Sequence, residues 1–233
     1  MKKLIVFDLD GTLINSLEDL ADSANHVLIQ HGFPTHPVDA YRYFVGDGVR
    51  KLIERILPEK ERNDTQIEQC KAEFVAYYKI HMEDKTEVYP GMIELLKALK
   101  ERGLKIAVAT NKVHVAVEPL MAKYFPDIHF DSLIGQREGI PVKPAPQIMY
   151  DILKETGCQP SETLHVGDTA TDMQLAHNAG VESVGVLWGY RPLEELQEAG
   201  ADYIIREPKE LLGLPTPTYN GTRSVSRTGL SAG

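Results

Sequence analysis

The chain has 233 residues, with 25 Lys and Arg against 34 Asp and Glu, a formal charge of −9, and 42% hydrophobic and 25% charged residues. Those fractions exclude a disordered, collagen-like or disulfide-scaffold protein, and the length admits one large domain or a core with a smaller companion. No apolar run reaches the roughly 18 residues of a membrane helix, and the apolar stretch after Met1-Lys2-Lys3 is cut at Asp8, too soon for a signal-peptide core. Cys70 and Cys158 lie far apart without CxxC spacing, which suits a reducing compartment. The expectation is a cytoplasmic protein with no membrane span. An acidic balance without a basic tract argues against nucleic acid as a partner.

Lys3–Phe7 (KLIVF) is a continuous apolar run ending in a carboxylate and an Asp-Gly turn, the pattern of a strand covered on both faces of a parallel sheet. From Ser16 to Glu87 the periodicity is helical and no good strand is evident. Ser16 with Asp19 has the form of a capping box, and Leu17, Leu20, Ala21, Ala24, Val27 and Leu28 follow at helical spacing up to Gly32. Val49–Leu57 and Thr65–His81 are also helical. A crossover of this length exceeds one strand–helix unit and carries its own apolar faces, so residues 15–88 are expected to form a small all-helical domain. Met92, Leu95, Leu96 and Leu99 then mark a helix closed by Gly103, and Leu104–Ala109 a second strand. Ile148, Met149, Ile152 and Leu153 mark a helix opened by Pro146 and closed by Gly157, followed by strands at Thr163–Val166 and Ser183–Leu187. This alternation predicts an α/β fold, a doubly wound, mostly parallel Rossmann-like sheet built from residues 1–14 and 89–214. Residues 215–233, rich in Pro, Thr, Ser and Gly, read as a flexible tail.

Four motifs fall at the carboxyl ends of these strands, where open α/β sheets bind ligands. In Asp8-Leu9-Asp10-Gly11-Thr12 the two acids point to the same side of an extended segment and repel unless a proton or cation relieves them. A bare Asp-Gly is an ordinary turn; the whole DxDGT after KLIVF favours a functional site. Thr110-Asn111-Lys112 offers a hydroxyl to an anionic oxygen, although Thr and Asn also cap helices routinely. Pro144 holds Lys143 extended and Pro146 starts a helix, which places the lysine better to reach inward, although a lone lysine is equally a solvated surface charge. Asp168 ends a strand and Asp172 stands one helical turn later on the same face; alone they are equally an N-cap and a first-turn acid. Taken together, carboxylates, a hydroxyl and a lysine meet at one sheet edge, a charge set suited to Mg²⁺ and a phosphate. The histidines show no metal-ligand spacing, and His165, within a strand, reads as a packed or hydrogen-bonded core residue.

DxDGT, Thr110 after strand two, the KPxP lysine and GDxxxD occur in the order of the haloacid dehalogenase superfamily, which the sequence resembles over about residues 1–214; the helical insert resembles that family's cap. The resemblance implies a phosphomonoester hydrolase with Asp8 as nucleophile, forming an aspartyl-phosphate, and Asp10 as general acid and base. It implies Mg²⁺ as cofactor, held by the Asp8 carboxylate, the Asp10 backbone carbonyl and Asp168 with Asp172 in support, and Thr110 and Lys143 on the phosphoryl oxygens. The implied partner is a small phosphorylated metabolite, contacted by Thr12, Asn111, Gly46 and Arg50. Asp10 speaks against the dehalogenase branch, and Thr12 departs from the Val typical of the phosphoglucomutase branch. Val45-Gly46-Asp47-Gly48-Val49-Arg50 resembles the glycine-rich specificity loop of the phosphoglycolate phosphatases, and Val186–Arg191 the stretch after their last core strand. Arg50 is then expected to grip a substrate carboxylate, the plainer reading being a solvated helix arginine. Phosphatases for sugar phosphates, nucleoside monophosphates or pyrophosphate are the alternative. A non-catalytic phospho-receiver or binding module is the rival of another class; the insert and Asp10 argue against it. No apolar stripe on the sequence fixes an oligomeric state.

Overall fold

The computed structural model describes residues 2–214. The elements run β1 (Leu4–Phe7), β2 (Ile14–Asn15), α1 (Leu17–Gln30), α2 (Tyr41–Phe44), α3 (Val49–Ile56), α4 (Asp64–His81), β3 (Glu87–Val88), α5 (Met92–Glu101) and β4 (Lys105–Val113). They continue with α6 (His114–Tyr124), β5 (Ser132–Gln136), α7 (Gln147–Thr156), β6 (Thr163–Gly167), α8 (Ala170–Ala179), β7 (Glu182–Val186), α9 (Leu193–Glu198) and β8 (Tyr203–Ile205). The expected flexible tail, 215–233, lies outside the described residues.

Six strands form one parallel sheet in the order β5-β4-β1-β6-β7-β8. Every residue of β1 is buried, because alternate side chains enter opposite layers: Ile5 and Phe7 pack with the α5 leucines, Leu4 and Val6 with Ile148, Met149 and Leu175 of α7 and α8. This two-sided burial is why KLIVF reads as an unbroken apolar run. With β1 between β4 and β6, the connections leave it in opposite directions, and the crevice at its carboxyl end is the switch point where such sheets bind ligands. Among the described residues no helix is long and apolar enough to cross a membrane.

Three features differ from the sequence reading. Strands β5 and β8 were not expected: Gly135 interrupts the apolar pattern of β5, yet a Cβ there would collide with Lys112 O and His114 Cα, so close backbone approach requires glycine. β8 has only three residues. The helical stretch is also bracketed by a two-strand antiparallel ribbon, Ile14 opposite Val88 and Asn15 opposite Glu87, too short to leave a periodic signal.

The third difference is the expected capping box. Ser16 precedes α1 but makes no side-chain cap, and Asp19 turns elsewhere. The buried Asp19 carboxylate accepts from Lys85 N at 2.9 Å, Thr86 N at 2.8 Å and Thr86 Oγ1 at 2.7 Å, tying the end of the insert to its beginning. Asp19→Ala strands these donors and is expected to lower stability by about 2–3 kcal/mol, or the melting temperature by about 5–10 °C. A melting temperature equal to the parent's would show that the return segment is held by other contacts.

Candidate active site

The chain leaves β1 into a tight loop, then returns through the ribbon, so that Asp8 stands at the end of β1 beside Asp168, which follows β6. Asp8, Asp168 and Asp172 are buried and offer oxygens that all lie within 4.8 Å of one another. Thr12 Oγ1 donates to Asp168 Oδ1 at 3.3 Å and Tyr190 N to Oδ2 at 2.7 Å. A Cβ on Gly11, which has a φ of +88°, or on Gly189 would strike the Asp168 side chain, so both glycines are required by its packing. Burial, with Asp172 and Asp8 nearby, pushes the Asp168 carboxyl well above the ordinary range.

Lys143 Nζ lies 2.8 Å from Asp8 Oδ1, 2.7 Å from Asp172 Oδ1 and 3.0 Å from Ala109 O. The Lys143–Pro144 peptide is cis. Asp172 also accepts from His165 Nε2 at 3.2 Å and Thr169 Oγ1 at 2.7 Å, so both its oxygens are engaged. Burial would raise the Asp172 carboxyl, but Lys143 and His165 outweigh it and hold it below the ordinary range. Burial likewise works against the Lys143 ammonium, and Asp172 and Asp8 outweigh it, so it stays charged. Asp8 is different. Burial raises it, Lys143 counters only in part, Asp172 adds to the rise, and its pKa reaches about 6. Lys143 is close to Asp8 Oδ1 without the alignment of a hydrogen bond, and that oxygen has no hydrogen-bond donor among the described residues.

Asp10 points the other way, toward the insert. Ser16 Oγ donates to its Oδ1 at 2.5 Å, and Lys112 Nζ to Oδ1 at 2.9 Å and Oδ2 at 3.2 Å. Lys112 also donates to the Tyr78 hydroxyl on α4 at 2.6 Å. Ser16 and Lys112 are the site residues that sequence reasoning missed: the serine was absorbed by the helix-start pattern, and the lysine carries no signal beyond following Thr110 and Asn111.

A cavity of about 370 Å³ opens between the sheet edge and the insert, lined by Asp8, Asp10, Thr110, Lys112 and a wall that includes Phe74 and Met82. Thr110 and Gly46 line it. Asn111 also lines it, but its amide bridges Gly46 O at 3.0 Å, Lys143 O at 3.2 Å and Lys143 N at 2.8 Å, linking the glycine loop of the insert to the lysine loop. Two expected substrate contacts are corrected. Thr12 is fully buried with its hydroxyl on Asp168 and does not line the cavity. Arg50 leaves α3 on the outer side and pairs with Asp64 Oδ1 at 2.6 Å and with Glu68, half exposed and away from the cavity, because α4 presents two acids to it there.

The family model for haloacid dehalogenase-like hydrolases matches residues 5–186. The chain belongs to this family. Among its relatives are phosphoglycolate phosphatases of Haemophilus influenzae, 34% identical over 216 residues (90% of this chain, 96% of the relative), and of Mannheimia succiniciproducens, 35% identical over 216 residues with the same coverage. A crystal structure from Haemophilus somnus, named a predicted phosphoglycolate phosphatase, superposes with a TM-score of 0.82 at 31% identity, covering 91% of this chain and 97% of that one. One from Lactobacillus delbrueckii subsp. bulgaricus has a TM-score of 0.85 at 30% identity, with coverage of 91% and 97%.

For a haloacid dehalogenase-like hydrolase the acidic triad is the place to test for a cation. The residues fit one. Asp8 Oδ1 lacks a hydrogen-bond donor, and Asp168 is buried as an acid with neighbouring acids and no ammonium on it, so a divalent ion would relieve both. Asp172, with both oxygens engaged by Lys143, His165 and Thr169, is placed to support rather than to ligate.

Proposed function

We propose that the chain is a Mg²⁺-dependent phosphomonoester hydrolase working through an aspartyl-phosphate, with 2-phosphoglycolate as substrate. The observation that carries this reading is the division of labour between two neighbouring acids. Asp8 faces Lys143 with an oxygen free of hydrogen-bond donors, while Asp10 is turned to the cavity side by Ser16 and Lys112. Ionised Asp8 attacks phosphorus, the ester P–O bond breaks, and Asp10 gives its proton to the departing oxygen. Asp10 then takes a proton from the water that attacks the acyl phosphate, and phosphate and the free Asp8 carboxylate are regenerated. Lys143 and Thr110 receive the phosphoryl oxygens, and the buried ammonium stabilises the charge that spreads over them. Asp8, Asp168 and the Asp10 carbonyl would hold Mg²⁺, which when bound would supply charge neutralisation at the phosphate. Residues 15–88 act as a cap that selects the ester, in keeping with the cavity lying between insert and sheet.

A second reading, a phosphatase for sugar phosphates or other larger esters, is favoured by the cavity itself. About 370 Å³ with an apolar wall exceeds what a two-carbon acid fills. Phosphate release from 2-phosphoglycolate beside sugar phosphates, nucleoside monophosphates and pyrophosphate, each with Mg²⁺ and with chelator, decides between them. Mg²⁺-dependent turnover led by phosphoglycolate supports the proposal; turnover led by a larger ester replaces the substrate and keeps the chemistry; no turnover on any ester favours a binding module.

Mg²⁺ should also stabilise the protein in a pH-dependent way. The Asp8 carboxyl titrates near 6 when folded against an ordinary 3.8, so the folded protein retains a proton through that window that the unfolded chain releases. Below about pH 6 the proton on Asp8 opposes the cation; above that the unrelieved carboxylate weakens the metal-free fold and Mg²⁺ restores it. With Mg²⁺ about tenfold above its Kd the gain is about 1.4 kcal/mol, a melting shift of about 3–6 °C, expected at about pH 7.5 and much reduced at about pH 5. An equal shift at both would place the cation away from Asp8.

A further inference from the structure

We infer that Lys112 is the residue that recognises an anionic group on the leaving alcohol, its ammonium moving from Asp10 to the substrate while Tyr78 positions it from the insert. The inference rests on the phosphatase reading above and names the substrate class of that site: phosphate monoesters of small 2-hydroxy carboxylic acids.

A substrate with a second anion needs a cation beyond the phosphoryl position. Lys143 cannot serve, since it lies at the floor between Asp8 and Asp172. Arg50 is outside, paired with Asp64 and Glu68. Among the described residues the cationic side chains lining the cavity are Lys79, exposed on α4, and Lys112, whose side chain is 5% exposed. A buried ammonium must have compensating partners, and Lys112 has two kinds: the Asp10 carboxylate and the Tyr78 hydroxyl at 2.6 Å. It also lies 4.6 Å from the centroid of the Tyr78 ring, which attracts a cation in its own right.

Chemistry then requires the Asp10 contact to change. Asp10 must present a carboxyl to the ester oxygen, but it is engaged by Ser16 and by Lys112 across both of its oxygens. In a phosphorylated 2-hydroxy acid the ester oxygen is on the carbon that bears the carboxylate. A cation resting against Asp10 is therefore next to the position that the substrate carboxylate takes when Asp10 meets the ester oxygen. The flexible lysine stem can exchange one carboxylate for the other while the Tyr78 contact keeps the ammonium in the cavity. An ester without the second anion offers Lys112 nothing in exchange, so the same event that binds the correct substrate frees its acid.

The test compares 2-phosphoglycolate with ethyl phosphate, which carries a neutral methyl group in place of the carboxylate, in the full chain with Mg²⁺. For Lys112→Met the ratio of kcat/KM values (phosphoglycolate over ethyl phosphate) should fall about 30-fold or more, mainly through KM for phosphoglycolate. Tyr78→Phe should move the ratio the same way by about 3- to 10-fold. Damage to Asp10 chemistry, or partial unfolding, lowers both rates and divides out of the ratio. Equal losses on the two esters would overturn the inference and leave Lys112 as a partner of Asp10 only. It would also fail if Arg50→Ala, and not Lys112→Met, removed the preference. A parent enzyme with no preference for phosphoglycolate would defeat the substrate reading itself, before any variant is compared.

Discussion

Asp8→Asn is expected to abolish turnover, by at least about 10⁴-fold, and at the same time to make the metal-free protein more stable. The activity loss follows from removing the oxygen nucleophile. The stability gain follows from where that nucleophile is held. Asp8 is 5% exposed, its Oδ1 lacks a hydrogen-bond donor, and burial lifts its carboxyl from 3.8 to about 6 in spite of Lys143. A carboxyl raised in the folded state favours folding while it is protonated, and that contribution disappears as pH rises through the folded value. At neutral pH and above, the ionised group therefore weighs against the fold, by up to about 3 kcal/mol for a shift of this size. The amide is neutral at every pH and close in shape. The variant should melt above the parent at about pH 7.5, by several degrees, and level with it near pH 4; Mg²⁺ should narrow the gap by stabilising the parent. A variant that melts below the parent at pH 7.5 would mean that attraction to Lys143, not burial, dominates at Asp8.

The sequence shows the floor of this site clearly and its walls poorly, for physical reasons. Asp8 and Asp168 directly follow β1 and β6, and Thr110 lies in β4 just past its pairing with β1, so an apolar run fixes where the backbone delivers them. Lys143 is found from its flanking prolines, which are local chain features. Ser16 reads as a helix start because a hydroxyl before an apolar periodic stretch is usually a cap; here Asp10, six residues back, and Tyr190, distant in sequence, engage the hydroxyl instead. Arg50 reads as a carboxylate grip or as a solvated helix arginine from its place after a glycine loop, and two acids on α4, 14 and 18 residues away, take its guanidinium. Lys112 meets its partners at separations of 102 and 34 residues, and no local pattern encodes that meeting. Pairings between insert and core depend on how two faces pack, which periodicity does not specify. The same limit explains β5 and β8, whose strands are held by neighbours more than by their own apolar pattern.

Lys143→Ala should do the opposite of Asp8→Asn to stability while also destroying activity. Its ammonium is 2% exposed and is the cation on both Asp8 and Asp172. Removing it leaves two buried carboxylates facing each other and a third, Asp168, close by. Losing one partner of a buried pair costs about 3–5 kcal/mol, because the remaining charge stays buried without compensation. The melting temperature should fall by about 10 °C or more, and turnover by about 10³-fold, since the phosphoryl group loses its buried positive neighbour. Two further measurements separate charge from lost packing. Lowering the pH from about 8 to about 5 should shrink the deficit, because protons then do what the ammonium did. Combining the change with Asp8→Asn should recover part of the lost stability, giving a coupling of about 1–3 kcal/mol between positions whose single effects have opposite sign. Additive effects in the double variant would show that Lys143 supports the loop before α7 by its stem and its bond to Ala109 O, and that the carboxylates tolerate one another without it. Coupling of the expected sign would place the site's main constraint in one balance: three buried acids, one ammonium, and room for one more positive charge.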